Sequence, residues 1–212
     1  MNNPIEFNGA EMLPIAAECV LENPRVGMVV VRNVVEPDFL RDLNASYTKQ
    51  GLLYDTIPDL KAVDDIVNTW WEVNGASDYT IAPRFELSWQ SGIKPDKSFP
   101  AHIDGHSRFE HSVNLVGGLT LSLSGGLQED SYAEFWAKAP KRSYLNAVNE
   151  LDGELWSRQL RRSKYTRSFQ EKIEVKRGDV VVIKQIPRPA VHKVKSHNLR
   201  SARLLDYPIT KR

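Results

Sequence analysis

The second half of the chain carries a hydrophobic repeat of two residues, and this repeat limits the fold more than any other feature. Residues 85–90 (FELSWQ) alternate apolar and polar side chains, and residues 119–124 (LTLSLS) do the same. Successive side chains of a β-strand point to opposite faces, so the repeat is typical of strands buried on one face. The valine-rich run 180–183 and the stretch 199–207 predict two further strands.

Helices are predicted before these strands. Residues 26–35 (VGMVVVRNVV) favour a buried strand, which leads into Pro37 and a segment, residues 39–51, with apolar side chains at helical spacing. Residues 60–73 repeat that spacing and predict a second helix. By contrast, residues 129–168 look helical or loop-like and interrupt the strands, so we interpret them as an insertion between two strands of the sheet system.

The length of 212 residues fits one domain, residues 1–212, with a sizeable insertion. Helices followed by short alternating strands favour a mainly β (α+β) domain built as a sandwich or barrel. The net charge of +1 argues against a dedicated nucleic-acid-binding protein. The single cysteine, Cys19, excludes an internal disulfide framework and a cysteine-rich zinc site. We find neither a secretory signal nor an apolar stretch of membrane-spanning length, and we expect a cytoplasmic protein without a membrane partner.

Histidines are confined to two short segments, each of which follows a predicted strand. The five are His102, His106, His111, His192 and His197. His102 and Asp104 are two residues apart, so on an extended segment their side chains lie on one face. A histidine from the second segment, His192 or alternatively His197, would complete a set of two imidazoles and one carboxylate. Such a set with open coordination positions favours non-heme Fe(II) that activates oxygen.

The order of these residues resembles a known family. His102-x-Asp104, then His192, then Arg203 after ten intervening residues is similar to the HxD…H…R pattern of the Fe(II)/2-oxoglutarate-dependent dioxygenases. The segment 174–181 (EVKRGDVV) resembles the strand that precedes the second histidine in that family, and the N-terminal valine-rich strand and helix resemble its common start.

The resemblance implies a double-stranded β-helix, a jelly roll of the cupin type, with N-terminal flanking helices. It implies that His102, Asp104 and His192 hold Fe(II), and that O2 and 2-oxoglutarate are co-substrates. It also implies that Arg203 pairs with the C5 carboxylate of 2-oxoglutarate, because a guanidinium can meet a carboxylate with two parallel hydrogen bonds. Arg200 stays an alternative anchor, since the sequence does not show which face of the last strand points inward.

The predicted insertion is basic. Residues 138–167 hold eight lysines and arginines against three acidic residues, interleaved with Tyr144, Trp156 and Tyr165. Such a surface can contact phosphates and bases. We nevertheless predict that the chain hydroxylates a small-molecule substrate, with decarboxylation of 2-oxoglutarate to succinate, because it is compact and shows no added recognition domain. The alternatives are an oxygenase acting on nucleic acid or protein, and a non-catalytic jelly-roll binding module.

Overall fold

The computed structural model describes residues 5–41, 58–73, 78–81, 85–89, 98–103, 115–122, 132–141, 169–185, 188–197 and 202–212. The helical segments are a 3-10 turn at Ala10–Met12, α1 (Leu13–Glu22), α2 (residues 37–41) and α3 (Pro58–Val73). The strands are β1 (Glu6–Asn8), β2 (Met28–Arg32), β3 (Tyr79–Ile81), β4 (Phe85–Trp89), β5 (Ser98–His102), β6 (Leu115–Ser122), β7 (Tyr132–Ala137), β8 (Glu171–Val175), β9 (Val180–Lys184), β10 (His192–His197) and β11 (Ala202–Lys211).

These strands form two sheets. The larger sheet has the order β1-β2-β9-β6-β11-β3, with β4 also paired to β11, and the smaller sheet has the order β5-β10-β7-β8. Strands β4 to β11 pair in a nested way, β4 with β11, β5 with β10, β6 with β9 and β7 with β8, and all four pairs are antiparallel. This pairing describes a long two-stranded ribbon rolled into two sheets, so the predicted double-stranded β-helix, or jelly roll, is confirmed.

Helices α1 and α3 pack against the outer face of the larger sheet. Val63, Val67 and Trp71 of α3 are buried at helical spacing, which confirms the predicted second helix, whereas Trp70 is 38% exposed. The Tyr207 hydroxyl of β11 donates to the carboxylate of Asp64 on α3 at 2.8 Å. We call this layer the helix-side core, and it includes Leu13, Ala16, Ala17, Val20, Val29, Val31, Leu40, Val63, Val67, Trp71, Leu119, Leu121, Val180, Val182, Tyr207 and Ile209.

A second core, the inter-sheet core, fills the space between the two sheets. Its members are Met28, Val30, Ala133, Phe135, Ala137, Ile173, Val175, Val181, Ile183, Ala190 and Val194. Strand β9 serves both cores, because Val180 and Val182 belong to the helix-side core while Val181 and Ile183 belong to the inter-sheet core. Burial on both faces explains why this strand is a continuous apolar run rather than an alternating one.

The turn before β9 depends on a glycine. Gly178 has a φ of 85°, and a Cβ placed there would collide with the carbonyl oxygen of Val35. The Gly178 carbonyl accepts hydrogen bonds from the backbone N–H groups of Val34 and Val35 at 3.0 and 3.2 Å. The turn at residues 177–179 therefore docks just after the end of β2 and needs a residue without a side chain at position 178.

One sequence prediction is wrong in part. Residues 132–137, placed at the start of the helical or loop-like insertion 129–168, form strand β7 in the smaller sheet. Glu134 hides the strand pattern, because a buried carboxylate interrupts the apolar residues, and its Oε1 lies 2.8 Å from Lys172 Nζ on β8. Residues 142–168 lie outside the described part of the chain.

Candidate metal centre

Two of the predicted metal ligands are paired across neighbouring strands. His102 is the last residue of β5 and His192 the first residue of β10, and the antiparallel register places them directly opposite each other. Opposite residues of an antiparallel pair have Cβ atoms about 4.5–5.5 Å apart. The alternative ligand, His197, pairs with Tyr132 at the other end of β10, about 16 Å away at about 3.3 Å per residue. The register therefore brings together His102 and His192, not His102 and His197.

His192 is buried inside the roll. Its side chain is 2% exposed, and its β7 partner is Ala137 of the inter-sheet core. The Nδ1 atom of His192 lies 3.3 Å from the carbonyl oxygen of Ala190. Because a carbonyl only accepts, this contact is a hydrogen bond in the tautomer with a proton on Nδ1, and that tautomer keeps the lone pair on Nε2. A fixed tautomer of this kind is typical of a histidine that binds a metal through Nε2.

Strand β5 contains a bulge next to His102. Phe99 pairs with Val194 and His102 with His192, so Pro100 and Ala101 together lie opposite Lys193. Proline inside a strand is tolerated at an edge or a bulge, and β5 is the edge strand of the smaller sheet. Bulges re-aim side chains near active sites. The bulge therefore sets the register that brings His102 opposite His192.

The third predicted ligand, Asp104, lies outside the described residues, as do His106 and His111. Within the described stretches no group of three histidine, cysteine, aspartate or glutamate side chains is placed to hold a metal ion. The structure thus describes the backbone positions of two of the three proposed ligands.

The predicted co-substrate anchor, Arg203, lies in β11 opposite Ser88 of β4. The register of β11 is unbroken from residue 202 to residue 209. Position 203 is therefore on the same face of the strand as Tyr207 and Ile209, which belong to the helix-side core. Positions 202, 204 and 206 lie on the other face of the strand.

Backbone contacts join the histidine end of the smaller sheet to the larger one. The Glu171 carboxylate accepts hydrogen bonds from the N–H groups of Gly27 at 3.2 Å and Met28 at 3.1 Å. Burial raises the pKa of Glu171, while these two hydrogen bonds act against that rise. Gly27 sits so close that a Cβ would lie 2.8 Å from the Lys138 carbonyl oxygen. This clamp between β2 and β8 was missed in the sequence, since a lone glutamate at a strand start has no distinctive signal.

Lys184, at the end of β9, holds α1 against the same end of the roll. Its buried ammonium donates to three backbone carbonyls, those of Val20, Leu21 and Asn23, at 3.0, 2.7 and 3.1 Å. The carbonyls at a helix C-terminus have no partner within the helix, and they favour a positive charge. Burial lowers the pKa of Lys184, and the nearby Arg188 lowers it further. The sequence shows only a lysine after four apolar residues.

The outer face of the smaller sheet carries alternating amines and rings. The order is Lys138, Phe169, Lys193, Trp136 and Lys172, with amine-to-ring-centre distances of 5.4, 4.8, 4.7 and 5.2 Å. We call this the lysine–aromatic row. Burial lowers the pKa of Lys138, with a smaller contribution from Lys141. Cation–π contacts hold each amine over a ring.

Solved structures share this architecture at low sequence identity. SnoN, a non-heme alpha-ketoglutarate-dependent epimerase from nogalamycin biosynthesis, has a TM-score of 0.53 at 14% identity, over 93% of this chain and 84% of its own. SnoK, a non-heme alpha-ketoglutarate-dependent carbocyclase from the same biosynthesis, has a TM-score of 0.54 at 12% identity, over 99% and 87%. EctD from S. alaskensis, solved with 2-oxoglutarate and 5-hydroxyectoine, has a TM-score of 0.51 at 9% identity, over 92% and 75%.

The chain has the fold of the Fe(II)/2-oxoglutarate-dependent oxygenases. No family model matches the sequence, and no curated protein matches it. The likeness to Fe(II)/2-oxoglutarate-dependent oxygenases is therefore a likeness of fold. Among the described helices, none is both long and apolar enough to cross a membrane.

Proposed function

We propose that this chain is an Fe(II)/2-oxoglutarate-dependent dioxygenase that hydroxylates a small molecule. The observation that carries the proposal is the pairing of His102 with His192 at one end of a jelly roll. The solved structures with this fold include two alpha-ketoglutarate-dependent enzymes and one enzyme bound to 2-oxoglutarate. The overall reaction joins substrate, O2 and 2-oxoglutarate to give hydroxylated substrate, succinate and CO2.

The residues fit a ferrous ion. Two histidines come from paired strands, and the sequence supplies a carboxylate, Asp104, two residues after His102. Imidazole and carboxylate donors with open positions suit non-heme Fe(II). When bound, the iron supplies the oxidising chemistry that 2-oxoglutarate and O2 support.

The protein's own contribution is to hold His192 in a buried position. His192 is 2% exposed and shares the inner face of β10 with Val194, which belongs to the inter-sheet core. The contact of Nδ1 with the Ala190 carbonyl, at 3.3 Å, supports the tautomer in which Nδ1 donates this bond and Nε2 would bind the metal. Exclusion of water strengthens electrostatic interactions with a bound ion and prevents side reactions.

The anchor of the 2-oxoglutarate C5 carboxylate is an arginine near the start of β11. Spacing from His192 favours Arg203, whereas the strand register places position 203 on the helix-facing side of the sheet. Arg200 lies outside the described residues, and its parity in the sequence is that of positions 202, 204 and 206, on the other face of β11. We therefore propose both arginines as candidates and give the register more weight than the spacing, because an anchor must reach the interior.

A small-molecule substrate is supported by the fold neighbours, which are an epimerase and a carbocyclase from nogalamycin biosynthesis and EctD with 5-hydroxyectoine. The basic segment 138–167 keeps a nucleic-acid or protein substrate as the second candidate. A substrate panel of anionic and neutral small molecules, tested beside an oligonucleotide, separates the two classes.

The first test is turnover of 2-oxoglutarate. The purified chain with added Fe(II) should release succinate slowly even without its substrate. His102→Ala, His192→Ala and Asp104→Ala should each abolish iron binding and succinate release, with little change in the unfolding midpoint. A chain that binds Fe(II) but never converts 2-oxoglutarate is a binding module instead.

The second test separates the two arginines. Arg200→Ala should raise the 2-oxoglutarate concentration needed for half-maximal turnover by more than about tenfold, since a charge-assisted bidentate pair is lost. Arg203→Ala should change it less. The reverse order would restore Arg203 as the anchor, and equal effects would exclude both assignments.

A further inference from the structure

Phe169 lies on the outer face of the smaller sheet, directly behind the paired histidines. It is the first described residue after segment 142–168, and it packs on a small cluster formed by Ala101, Ile103 and Val191. All three of these residues are buried, at 4%, 4% and 0% exposure. We call these four residues the Phe169 cluster.

Each partner of Phe169 is a chain neighbour of a proposed metal ligand. Ala101 and Ile103 flank His102, and Val191 precedes His192. Since successive side chains of a strand point to opposite faces, the cluster lies on the side of β10 opposite to the His192 side chain, beside the ends of both strands. The ring of Phe169 therefore bridges the two strands at the level of their ligands.

The strand that carries His102 has few other supports. Strand β5 pairs with β10 alone among the described strands, and its register shifts at the bulge of Pro100 and Ala101. An edge strand with a bulge has lost part of its hydrogen-bond ladder, so side-chain packing has more influence on its position. Among the described residues, the Phe169 ring packs beside that bulge.

The ring itself is held from several sides. The amines of Lys138 and Lys193 lie 5.4 and 4.8 Å from its centre. The next residue, Gln170, donates its backbone N–H to the Ala137 carbonyl at 3.1 Å and accepts from the Ala139 N–H at 2.9 Å through its side chain. These contacts fix Phe169 to the end of β7, whose Ala137 is opposite His192.

We propose that Phe169 is a positioning residue that sets the separation of His102 and His192. The inference rests on the proposed function, because it assigns the histidine pair to a metal. It also gives the chain that leaves segment 142–168 a direct packing contact with the ligand-bearing strands.

The experiment measures metal affinity rather than turnover. Co(II), a redox-stable substitute for Fe(II), is titrated into the full-length chain, and its visible absorption spectrum reports both affinity and coordination. Phe169→Ala should weaken Co(II) binding about tenfold or more, the range found when outer partners of metal ligands are lost. It should also shift the absorption bands. The Co(II) affinity of Phe169→Leu should lie between those of Phe169→Ala and the unmodified chain. Phe169→Tyr should retain most of the affinity.

The control is Leu40→Ala, which removes a fully buried side chain from the helix-side core. It should lower the unfolding midpoint but leave the Co(II) affinity of the folded chain within twofold. The positioning role is overturned if Phe169→Ala binds Co(II) within twofold of the unmodified chain, or if Leu40→Ala weakens binding as much. Should Phe169→Ala not fold, the Leu and Tyr variants decide in the same way. An unmodified chain that binds neither Co(II) nor Fe(II) overturns the proposed function and this inference together.

Discussion

The outer faces of the two sheets of the roll carry different kinds of side chain. The larger sheet is backed by α1 and α3, and its outer face buries a valine- and leucine-rich helix-side core. The outer face of the smaller sheet instead carries the lysine–aromatic row and the ion pair of Glu134 with Lys172. Both sheets contribute to the inter-sheet core. Yet the paired histidines lie on the smaller sheet alone.

This difference suggests that one sheet supplies most of the folding stability while the other carries the candidate metal centre. Apolar burial contributes about 25 cal/mol per Å2, so the helix-backed sheet is expected to supply most of the free energy of folding. Ion pairs and cation–π contacts at partly exposed positions contribute little each. The sheet that carries the candidate metal centre is thus the less strongly held one. The geometry of the smaller sheet depends on a few specific polar contacts, while the stability of the larger sheet depends on the amount of apolar surface it buries.

The largest expected effect comes from the helix-side core. Leu121 of β6 is fully buried there, and Leu121→Ala should lower the free energy of unfolding by about 3 kcal/mol, through lost transfer energy and a cavity. Urea denaturation measures the loss. Ile15→Ala on α1, where the side chain is 48% exposed, is the matched control and should change stability by less than about 0.5 kcal/mol. A loss below about 1 kcal/mol at Leu121 would mean that this sheet is not the main source of stability.

A buried carboxylate on the larger sheet should come next. Asp179 is 3% exposed and accepts from Arg32 at 2.8 Å and from the N–H groups of Lys176 and Asn33 at 2.9 and 3.2 Å. Asp179→Asn removes the charge that pairs with Arg32, and we expect a loss of about 2 kcal/mol in urea denaturation, since bonds to charged groups are the stronger ones.

The same change on the smaller sheet tests the comparison. Glu134 pairs with Lys172 at 2.8 Å, and the Lys172 side chain is 31% exposed. Glu134→Gln should therefore cost less than Asp179→Asn, about 1 kcal/mol. If it cost more, the outer face of the smaller sheet would be as important for stability as the larger sheet.

Sequence reasoning succeeded where the pattern is local. Strands β4 and β6 and helix α3 each show their own hydrophobic period, so each could be predicted from a few neighbouring residues. Strand β6 begins at Leu115, before the predicted start, because Gly117 and Gly118 lack the side chains by which a strand pattern is recognised. Strand β7 was missed because a paired glutamate stands in an apolar position.

For the candidate site, the sequence predicted which residue types occur and in what order, but not how they are arranged in space. The pairing of His102 with His192 joins strands that are far apart in the sequence, and no local period encodes such a register. The face occupied by position 203 depends on which cores flank β11, and this could be read only once Tyr207 had been placed beside Asp64. Phe169 has no sequence signal, because its role depends on three residues from two other strands.

The lysine–aromatic row predicts a smaller effect. Lys193 lies 4.8 Å from the centre of Phe169 and 4.7 Å from that of Trp136. Lys193→Met should lower the free energy of unfolding by about 1 kcal/mol, whereas Lys193→Arg should keep most of it because the guanidinium also stacks on rings. Urea denaturation of both variants measures the difference. If Lys193→Met and Lys193→Arg lost the same free energy of unfolding, the charge of Lys193 over the rings would not be what stabilises this face.

The smallest expected effect is a pH dependence on the larger sheet. The guanidinium of Arg32 donates to Glu6 at 2.9 and 3.1 Å, and this pairing lowers the pKa of Glu6 below its ordinary value of 4.5. The unfolded chain therefore binds the proton more readily than the folded one. The stabilisation is fully present above the unfolded pKa and is lost as the pH falls through the folded pKa. Because the Glu6 side chain is 45% exposed, solvent screening keeps it below about 1 kcal/mol.

Glu6→Gln isolates this contribution. Its unfolding midpoint should lie slightly below that of the unmodified chain at pH 7, and the gap should close in acid as Glu6 becomes protonated in both states. Glu174→Gln on the smaller sheet, whose carboxylate lies 3.9 Å from the Lys172 amine, is the control at comparable exposure. Thermal unfolding across pH measures both. A gap that persists unchanged below the folded pKa would mean that Glu6 acts through packing rather than through its charge.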